Sequence, residues 1–150
     1  MAMPDIHALL PHSGAMVLLD RVLSADEENL CAEVGIRAGS LFCGADGVGG
    51  WVGIEYMAQA IAAHAGYMAR MRGEAVKIGF LLGSRRYTCA RPAFAIGSVL
   101  QIAVHKLLQA ENGLASFDCC IRVEDEDVAT ATITVFQPHD AHTFFKDSAR

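Results

Sequence analysis

The segment from Trp51 to Met71 limits most strongly what this chain can fold into. It reads WVGIEYMAQAIAAHAGYMARM, contains no proline, and is rich in alanine, methionine and isoleucine, a composition typical of a helix. Such a helix is apolar on nearly every side, so protein or lipid has to cover it all round. Glu55, Gln59 and His64 make burial in lipid costly. The sequence therefore predicts a buried central helix and no membrane span.

Strand-like segments lie on both sides of this helix. Before it, residues 15–25 and the alternating segment from Leu30 predict a hairpin with an acidic turn, Asp26–Asn29, at its tip. After it come four apolar runs separated by turn-forming residues, at positions 76–90, 98–109, 114–123 and 128–137. A strongly curved antiparallel sheet of five to seven strands would cover the helix. We predict an α+β fold with this sheet wrapped around the helix.

Length and composition narrow the functional classes. The chain has 150 residues, enough for one core, so we expect a single domain over residues 1–150. Hydrophobic residues make up 53% and charged residues only 19%, which predicts burial against another subunit. The net charge of −5 argues against nucleic-acid binding, which needs a basic face. The first residues lack the features of a secretory signal, so we expect a cytoplasmic protein.

The cysteines and histidines show no pattern typical of a metal centre or a disulfide framework. The cysteines are odd in number and lack paired Cys-x2-Cys spacing. Cys119 and Cys120, adjacent in a predicted strand, would point to opposite faces. His139 and His142 form a lone His-x2-His pair, which is a weak metal signal. We expect no metal and no cofactor.

Three short motifs agree in order and spacing with one family. The first is LPH at residues 10–12, followed by MVLLDRV at residues 16–22. The second is IEYMAQA at residues 54–60. The third is the pair Phe42 and Gly44, which lies between the first two motifs. These motifs resemble the LPH and DRV, IEALAQA and HFPG motifs of hot-dog 3-hydroxyacyl-(acyl carrier protein) dehydratases of the FabZ/FabA type.

The similarity covers most of residues 8–137. The stretch GFLLGSRRY at residues 79–87 looks more like a divergent subfamily that includes dehydratases associated with aryl-polyene biosynthesis. The resemblance implies a hot-dog fold and action on 3-hydroxyacyl thioesters held by acyl carrier protein.

One position departs from the family pattern. Counted back from Glu55 without a gap, the catalytic histidine of HFPG falls on Leu41, and residues 39–50 contain no other histidine. This leaves two possibilities open, a rearranged site or a subunit that binds acyl chains and supports a catalytic partner.

Removal of water from a 3-hydroxyacyl thioester needs a base, an acid and donors for the enolate-like oxygen. Glu55 is the candidate acid, although a first-turn carboxylate also opposes the dipole of any helix. Gly50 is a candidate substrate-binding residue, because backbone N–H groups at a helix start can face a carbonyl; the alternative is a simple loop glycine. Gln59, four residues after Glu55, either orients the carboxylate or merely pairs with it. His12 is the candidate base, with a histidine satisfied in a turn as the alternative.

The basic residues are concentrated in one part of this acidic chain. Half of the twelve cations lie between residues 70 and 91, which is typical of a surface that steers a phosphate-bearing partner. In the resembled family that partner is the phosphopantetheine arm of acyl carrier protein, and Arg85 and Arg86 are the candidate carrier-binding residues. The alternative is a solvated helix end beside an edge strand protected by arginine.

The leading interpretation is a dehydratase-like protein. The alternatives are a hot-dog acyl thioesterase, in which the helix carboxylate activates water or attacks the acyl carbon, and a non-catalytic subunit of a hot-dog heterocomplex. From composition and resemblance we expect a homodimer or a hetero-oligomer with another hot-dog subunit, with the sites at the interface.

Overall fold

The computed structural model describes most of the chain. It covers residues 3–10, 16–75 and 80–136, apart from the side chains of residues 80–82, 84 and 85. The described helices are α1, Ile6–Leu9, and α2, Gly53–Met71, which follows a 3-10 turn over Gly50–Val52. The predicted central helix is confirmed, although its first two residues belong to the tighter turn.

Nine strands lie within the described residues. They are β1 Arg21–Ala25, β2 Asn29–Gly35, β3 Cys43–Gly44, β4 Gly47–Gly49, β5 Phe80–Cys89, β6 Ala93–Phe94, β7 Val99–Gln109, β8 Leu114–Val123 and β9 Glu126–Phe136. Six of them form an antiparallel sheet in the order β1-β2-β7-β8-β9-β5, and β3-β4-β6 form a smaller one. Strand β5, which follows α2 in sequence, is therefore an edge of the large sheet.

The large sheet buries α2. Ala60, Ile61 and Ala63 are at most 1% exposed, so the predicted placement of the helix against a curved sheet is confirmed. The alternating burial along β7 and β8 shows why: Ile102 and Ile121 are fully buried, while the residues next to them face outward. Burial of each such side chain contributes about 1.5–3 kcal/mol.

The hairpin at the start of the chain is also confirmed, with shorter strands than expected. Strand β1 begins at Arg21 rather than at residue 15, and it pairs with β2 across an acidic turn. The Asp26 carboxylate accepts the Glu28 and Asn29 N–H groups at 2.9 and 2.8 Å, so this residue closes the turn.

The glycine-rich connection over residues 39–50 contains structure that the sequence did not predict. Its strands β3 and β4 pair with each other, and β4 pairs with β6. Gly47 has a φ of 110°, and a Cβ there would lie 2.0 Å from the Phe94 carbonyl oxygen. Only glycine permits this close approach of two backbones.

Helix α1 packs directly on the backbone of α2. A Cβ at Gly66 would lie 1.9 Å from the carbonyl oxygen of Leu9, the last residue of α1. Ile6 and Leu9 are buried at this contact. The packing holds the segment that precedes His12 against the central helix.

All five cysteines are free thiols. Cys119 is buried on the helix side of β8 and Cys120 is only partly buried, which confirms that they point to opposite faces. Burial raises the pKa of Cys119 to about 12, so its thiol is unreactive near neutral pH.

None of the described helices is long and apolar enough to cross a lipid bilayer.

His64 is 1% exposed in the middle of α2, and it gives the protein a predicted sensitivity to acid. Its Nε2–H donates to the Asp26 carbonyl oxygen at 2.9 Å, and burial is the main cause that lowers its pKa. The unfolded chain therefore binds more protons than the folded one between the lowered pKa and about 6.5. Above about pH 6.5 we expect the titration of His64 to leave the free energy of unfolding unchanged. Below about pH 6.5 that free energy should fall by up to ~1.4 kcal/mol per pH unit.

Denaturant titrations of wild type and His64→Gln at pH 7, 6 and 5 check this. The variant should lose less stability on acidification, whereas His105→Gln, at an exposed position, should behave as wild type does. If the free energy of unfolding depended on pH equally in wild type and His64→Gln, His64 would not be the source of the acid sensitivity.

Candidate functional site

Glu55 and Gln59 form a hydrogen-bonded pair on α2. The Gln59 side chain is 1% exposed, and its Nε2 donates to Glu55 Oε1 at 3.2 Å. The same amide donates to the Met16 carbonyl oxygen at 2.7 Å and accepts the Leu18 N–H at 2.9 Å. Gln59 therefore pairs with the carboxylate and also ties the chain segment before β1 to the helix.

The 3-10 turn that leads into α2 is held by residues of β5 and of the segment just after it. The Gly50 N–H donates to the Pro92 carbonyl oxygen at 2.9 Å, and the Gly50 carbonyl accepts the Tyr87 hydroxyl. A Cβ at Gly50 would lie 2.5 Å from the Arg91 carbonyl oxygen and 2.9 Å from Cys89 Sγ. Since the Gly50 N–H already has an acceptor, a thioester carbonyl would have to displace it or use other N–H groups of this turn.

The position where the resembled family has its histidine lies in a segment of exposed apolar residues. Leu41 and Phe42 are exposed, and Phe42 has a φ of 66°, which is uncommon for a residue other than glycine. The Phe42 ring lies 5.6 Å from the ring of Trp51, which is 68% exposed in the 3-10 turn. This surface is suited to contact with apolar groups, and Leu41 has no group that exchanges a proton.

None of the three histidines among the described residues is hydrogen-bonded to Glu55. His7 is in α1, and Nδ1 of His105 pairs with Asn29 Oδ1 at 2.7 Å on an exposed part of the sheet. His64 lies nine residues along α2, about 13 Å further on, half a turn out of phase and bonded to Asp26. The candidate base His12 lies outside the described residues, as do His139 and His142.

The candidate carrier-binding arginines lie in β5. Arg86 is exposed, has a φ of 56°, and has no acidic partner among the described residues. The side chain of Arg85 is not among the described parts of the structure. By contrast, Arg91 pairs with Glu126 at 3.5 Å.

Comparison with known proteins identifies the family. The sequence matches the ApeP-like family, described as ApeP dehydratase, over residues 4–146. The chain belongs to the ApeP-like dehydratase family. Consistent with this membership, it superposes on a structure described as the dehydratase heterocomplex ApeI:P from Xenorhabdus doucetiae with a TM-score of 0.91 and 32% identity. That match covers 99% of this chain and 100% of the other.

More distant structures share the hot-dog fold of this ApeP-like chain. A hypothetical thioesterase with coenzyme A from Streptococcus pneumoniae has a TM-score of 0.61 and 17% identity, over 78% of this chain and 84% of the other. The TT0310 protein from Thermus thermophilus has a TM-score of 0.58 and 22% identity, over 77% and 89%. These two likenesses concern the fold alone. Among curated proteins, none matches the sequence significantly.

The sequence indicated some of these contacts and missed others. The four-residue spacing of Glu55 and Gln59 predicted that they share a helix face, and they do. Nothing in the sequence signalled that Gln59 would bind Met16 and Leu18, because those contacts span more than forty residues. Tyr87 was missed because a tyrosine in a strand is ordinarily a packing residue.

Proposed function

We propose that this ApeP-like chain is a hot-dog subunit that takes part in the dehydration of 3-hydroxyacyl thioesters carried by acyl carrier protein. One observation carries the proposal: the Glu55 carboxylate is held by Gln59 near the start of a buried helix, at the position of the family's helix carboxylate. Glu55 is only partly buried, so a substrate can approach it.

In the proposed reaction a base removes the C2 proton and Glu55 protonates the C3 hydroxyl. The C3–O bond breaks, water leaves, and the electron pair from C2 forms the C2=C3 double bond. Gln59 orients the Glu55 carboxylate through its 3.2 Å contact. Because the Gly50 N–H donates to Pro92, other N–H groups of the first turn of α2 stabilise negative charge on the thioester carbonyl oxygen.

The base has two candidate sources. One is His12, which lies outside the described residues and precedes by four positions Met16, whose carbonyl accepts the Gln59 amide. The other source is a second hot-dog subunit. The heterocomplex composition of the similar ApeI:P structure favours this second source.

Two surface features favour assembly with a second hot-dog subunit. Strand β5 is an edge of the large sheet among the described strands, and edge strands are the usual place for pairing with another chain. Phe42 and Trp51 form an exposed aromatic pair beside the helix start, and exposed apolar patches mark interaction sites. A site completed by the second subunit explains how Leu41 is tolerated.

Product analysis tests the proposed function. The purified protein is incubated with 3-hydroxybutyryl and 3-hydroxyoctanoyl thioesters of acyl carrier protein, alone and with a co-expressed hot-dog subunit. Formation of the enoyl thioester in either preparation supports the proposal. Free acid would instead assign a thioesterase, and the absence of both products would leave a binding subunit without chemistry.

Reversing the charge at Arg85 and Arg86 tests the carrier contact. We propose that both arginines attract the acidic carrier, so Arg85→Glu with Arg86→Glu should slow association at least tenfold at low salt, because opposite charges steer encounter. Association of the wild type should weaken as salt rises. Stopped-flow measurements with a labelled carrier give both rates.

A matched control separates a local contact from a general charge effect. Arg70→Glu with Arg72→Glu changes the net charge equally at the exposed end of α2. Equal slowing by the two double variants would discard a contact specific to β5 and leave attraction by the cations of residues 70–91 as a whole.

A further inference from the structure

Hydrogen bonds hold the backbone at the start of α2, and the proposed reaction does not by itself require them. Both polar backbone groups of Gly50 are engaged, the N–H by Pro92 and the carbonyl by the Tyr87 hydroxyl. These partners come from β5 and from the residues just after it. One short segment therefore fixes the backbone from which the helix begins.

An irregularity in β5 directs Tyr87 toward the helix. Arg85 pairs with Thr132 of β9 and Thr88 pairs with Thr130, so two residues of β5 oppose the single residue between those threonines. This is a β-bulge, and its first residue, Arg86, has a φ of 56°. A left-handed arginine is strained, and bulges occur where a strand has to re-aim a side chain.

Two glycines leave the space that Tyr87 and its neighbours occupy. A Cβ at Gly53 would lie 2.2 Å from the Tyr87 hydroxyl, and one at Gly50 would meet the Arg91 carbonyl oxygen. Glycine is unfavourable in a helix, so its presence at the first position of α2 calls for a reason. The reason is that glycine at position 53 leaves room for the Tyr87 phenol. Burial raises the pKa of Tyr87, so the hydroxyl stays protonated and remains a donor near neutral pH.

We propose that Tyr87 is a positioning residue for the dehydration site. Its hydroxyl fixes the first turn of α2, and with it the direction of the N–H groups and of Glu55. The inference rests on the proposed function, because it assigns Tyr87 to the same site. Tyr87 acts through Gly50 and the helix, without contact to the reacting atoms.

The sole tryptophan of the chain, Trp51, reports directly on this turn. In Tyr87→Phe, which removes only the hydroxyl, acrylamide should quench Trp51 fluorescence more strongly and the anisotropy should fall. In the complex that forms the enoyl thioester, kcat should fall roughly 10- to 100-fold while KM changes less than about twofold, because the groups are misplaced and binding is retained.

Tyr67→Phe is the matched control, since Tyr67 lies on the distant half of α2 and is also partly buried. It should leave Trp51 fluorescence and kcat unchanged. A purely structural role for Tyr87 would lower the melting temperature and leave both readouts of the folded protein at wild-type values. That result overturns the inference.

Gly53→Ala provides a second test that keeps the tyrosine and displaces its hydroxyl. Alanine favours a helix over glycine, so an unimportant contact predicts equal or higher thermal stability with unchanged fluorescence. We expect the same fluorescence change and loss of kcat as in Tyr87→Phe. If Tyr87→Phe fails to fold, Gly53→Ala alone decides the question.

The two proposals fail in different ways. A wild-type complex that forms no enoyl product overturns the proposed function. A wild-type complex that is active, with Tyr87→Phe and Gly53→Ala equally active, overturns the positioning role alone.

Discussion

Glu55→Gln should lower enoyl-thioester formation by about 10²-fold or more while the fold stays intact. Glutamine is nearly isosteric, and its Oε1 can still accept the Gln59 N–H that now lies 3.2 Å from the carboxylate. The substitution therefore removes the ionisable group without breaking the network around Gln59. A carboxamide cannot deliver a proton to the leaving hydroxyl, so the loss appears in kcat.

The assay compares Glu55→Gln with Glu28→Gln, the same change at an exposed position in the hairpin turn. Glu28→Gln should retain wild-type turnover. Full activity of Glu55→Gln would remove the residue on which the proposed site depends.

His12→Ala, measured in the same series, identifies the source of the base. A loss of about 10²-fold would assign the base to His12. Retained activity would assign it to the second subunit, with Glu55 still in place.

Gly66→Ala should destabilise the protein by about 1–3 kcal/mol, although alanine is the better helix former. The added methyl group would lie 1.9 Å from the Leu9 carbonyl oxygen, and backbone atoms cannot rotate away as a side chain can. We expect α1 to move off α2, because it consists of only four residues. Denaturant titration measures the loss, and faster amide exchange at Leu9 and Leu10 locates it.

Gly39→Ala is the matched control, since a Cβ at Gly39 would have no atom within 4 Å. Its stability should equal or slightly exceed that of the wild type. If Gly66→Ala were equally stable, the close packing of the two helices would be wrong.

The large elements could be predicted because their patterns are long. The α2 segment has about twenty residues of one composition, and β7, β8 and β9 alternate over ten or eleven residues between clear turns. The small sheet could not be predicted, because strands of two or three residues such as β3 and β4 are too short for alternation to appear. Their pairing depends on the close contact of Gly47 with Phe94.

The candidate site was predictable only where it is local. Glu55 and Gln59 are one helical turn apart, so spacing alone indicated their contact. Tyr87 was not predictable, because the bulge at Arg86 interrupts the two-residue period from which inward and outward positions are deduced. The bonds from Gln59 to residues 16 and 18 depend on tertiary structure.

Both the N–H groups and the oxygen of the Gln59 side chain are hydrogen-bonded, and this affects how relatives of this chain should be compared. Leucine would leave the Leu18 N–H and the Met16 carbonyl without partners, and glutamate would set a second negative charge against Glu55. No single replacement serves all three groups, so selection for folding alone would preserve glutamine at this position. Retention of Gln59 is therefore a sign of a maintained fold. If Glu55 is the proposed acid, its retention should distinguish catalytic relatives from relatives that have become structural subunits.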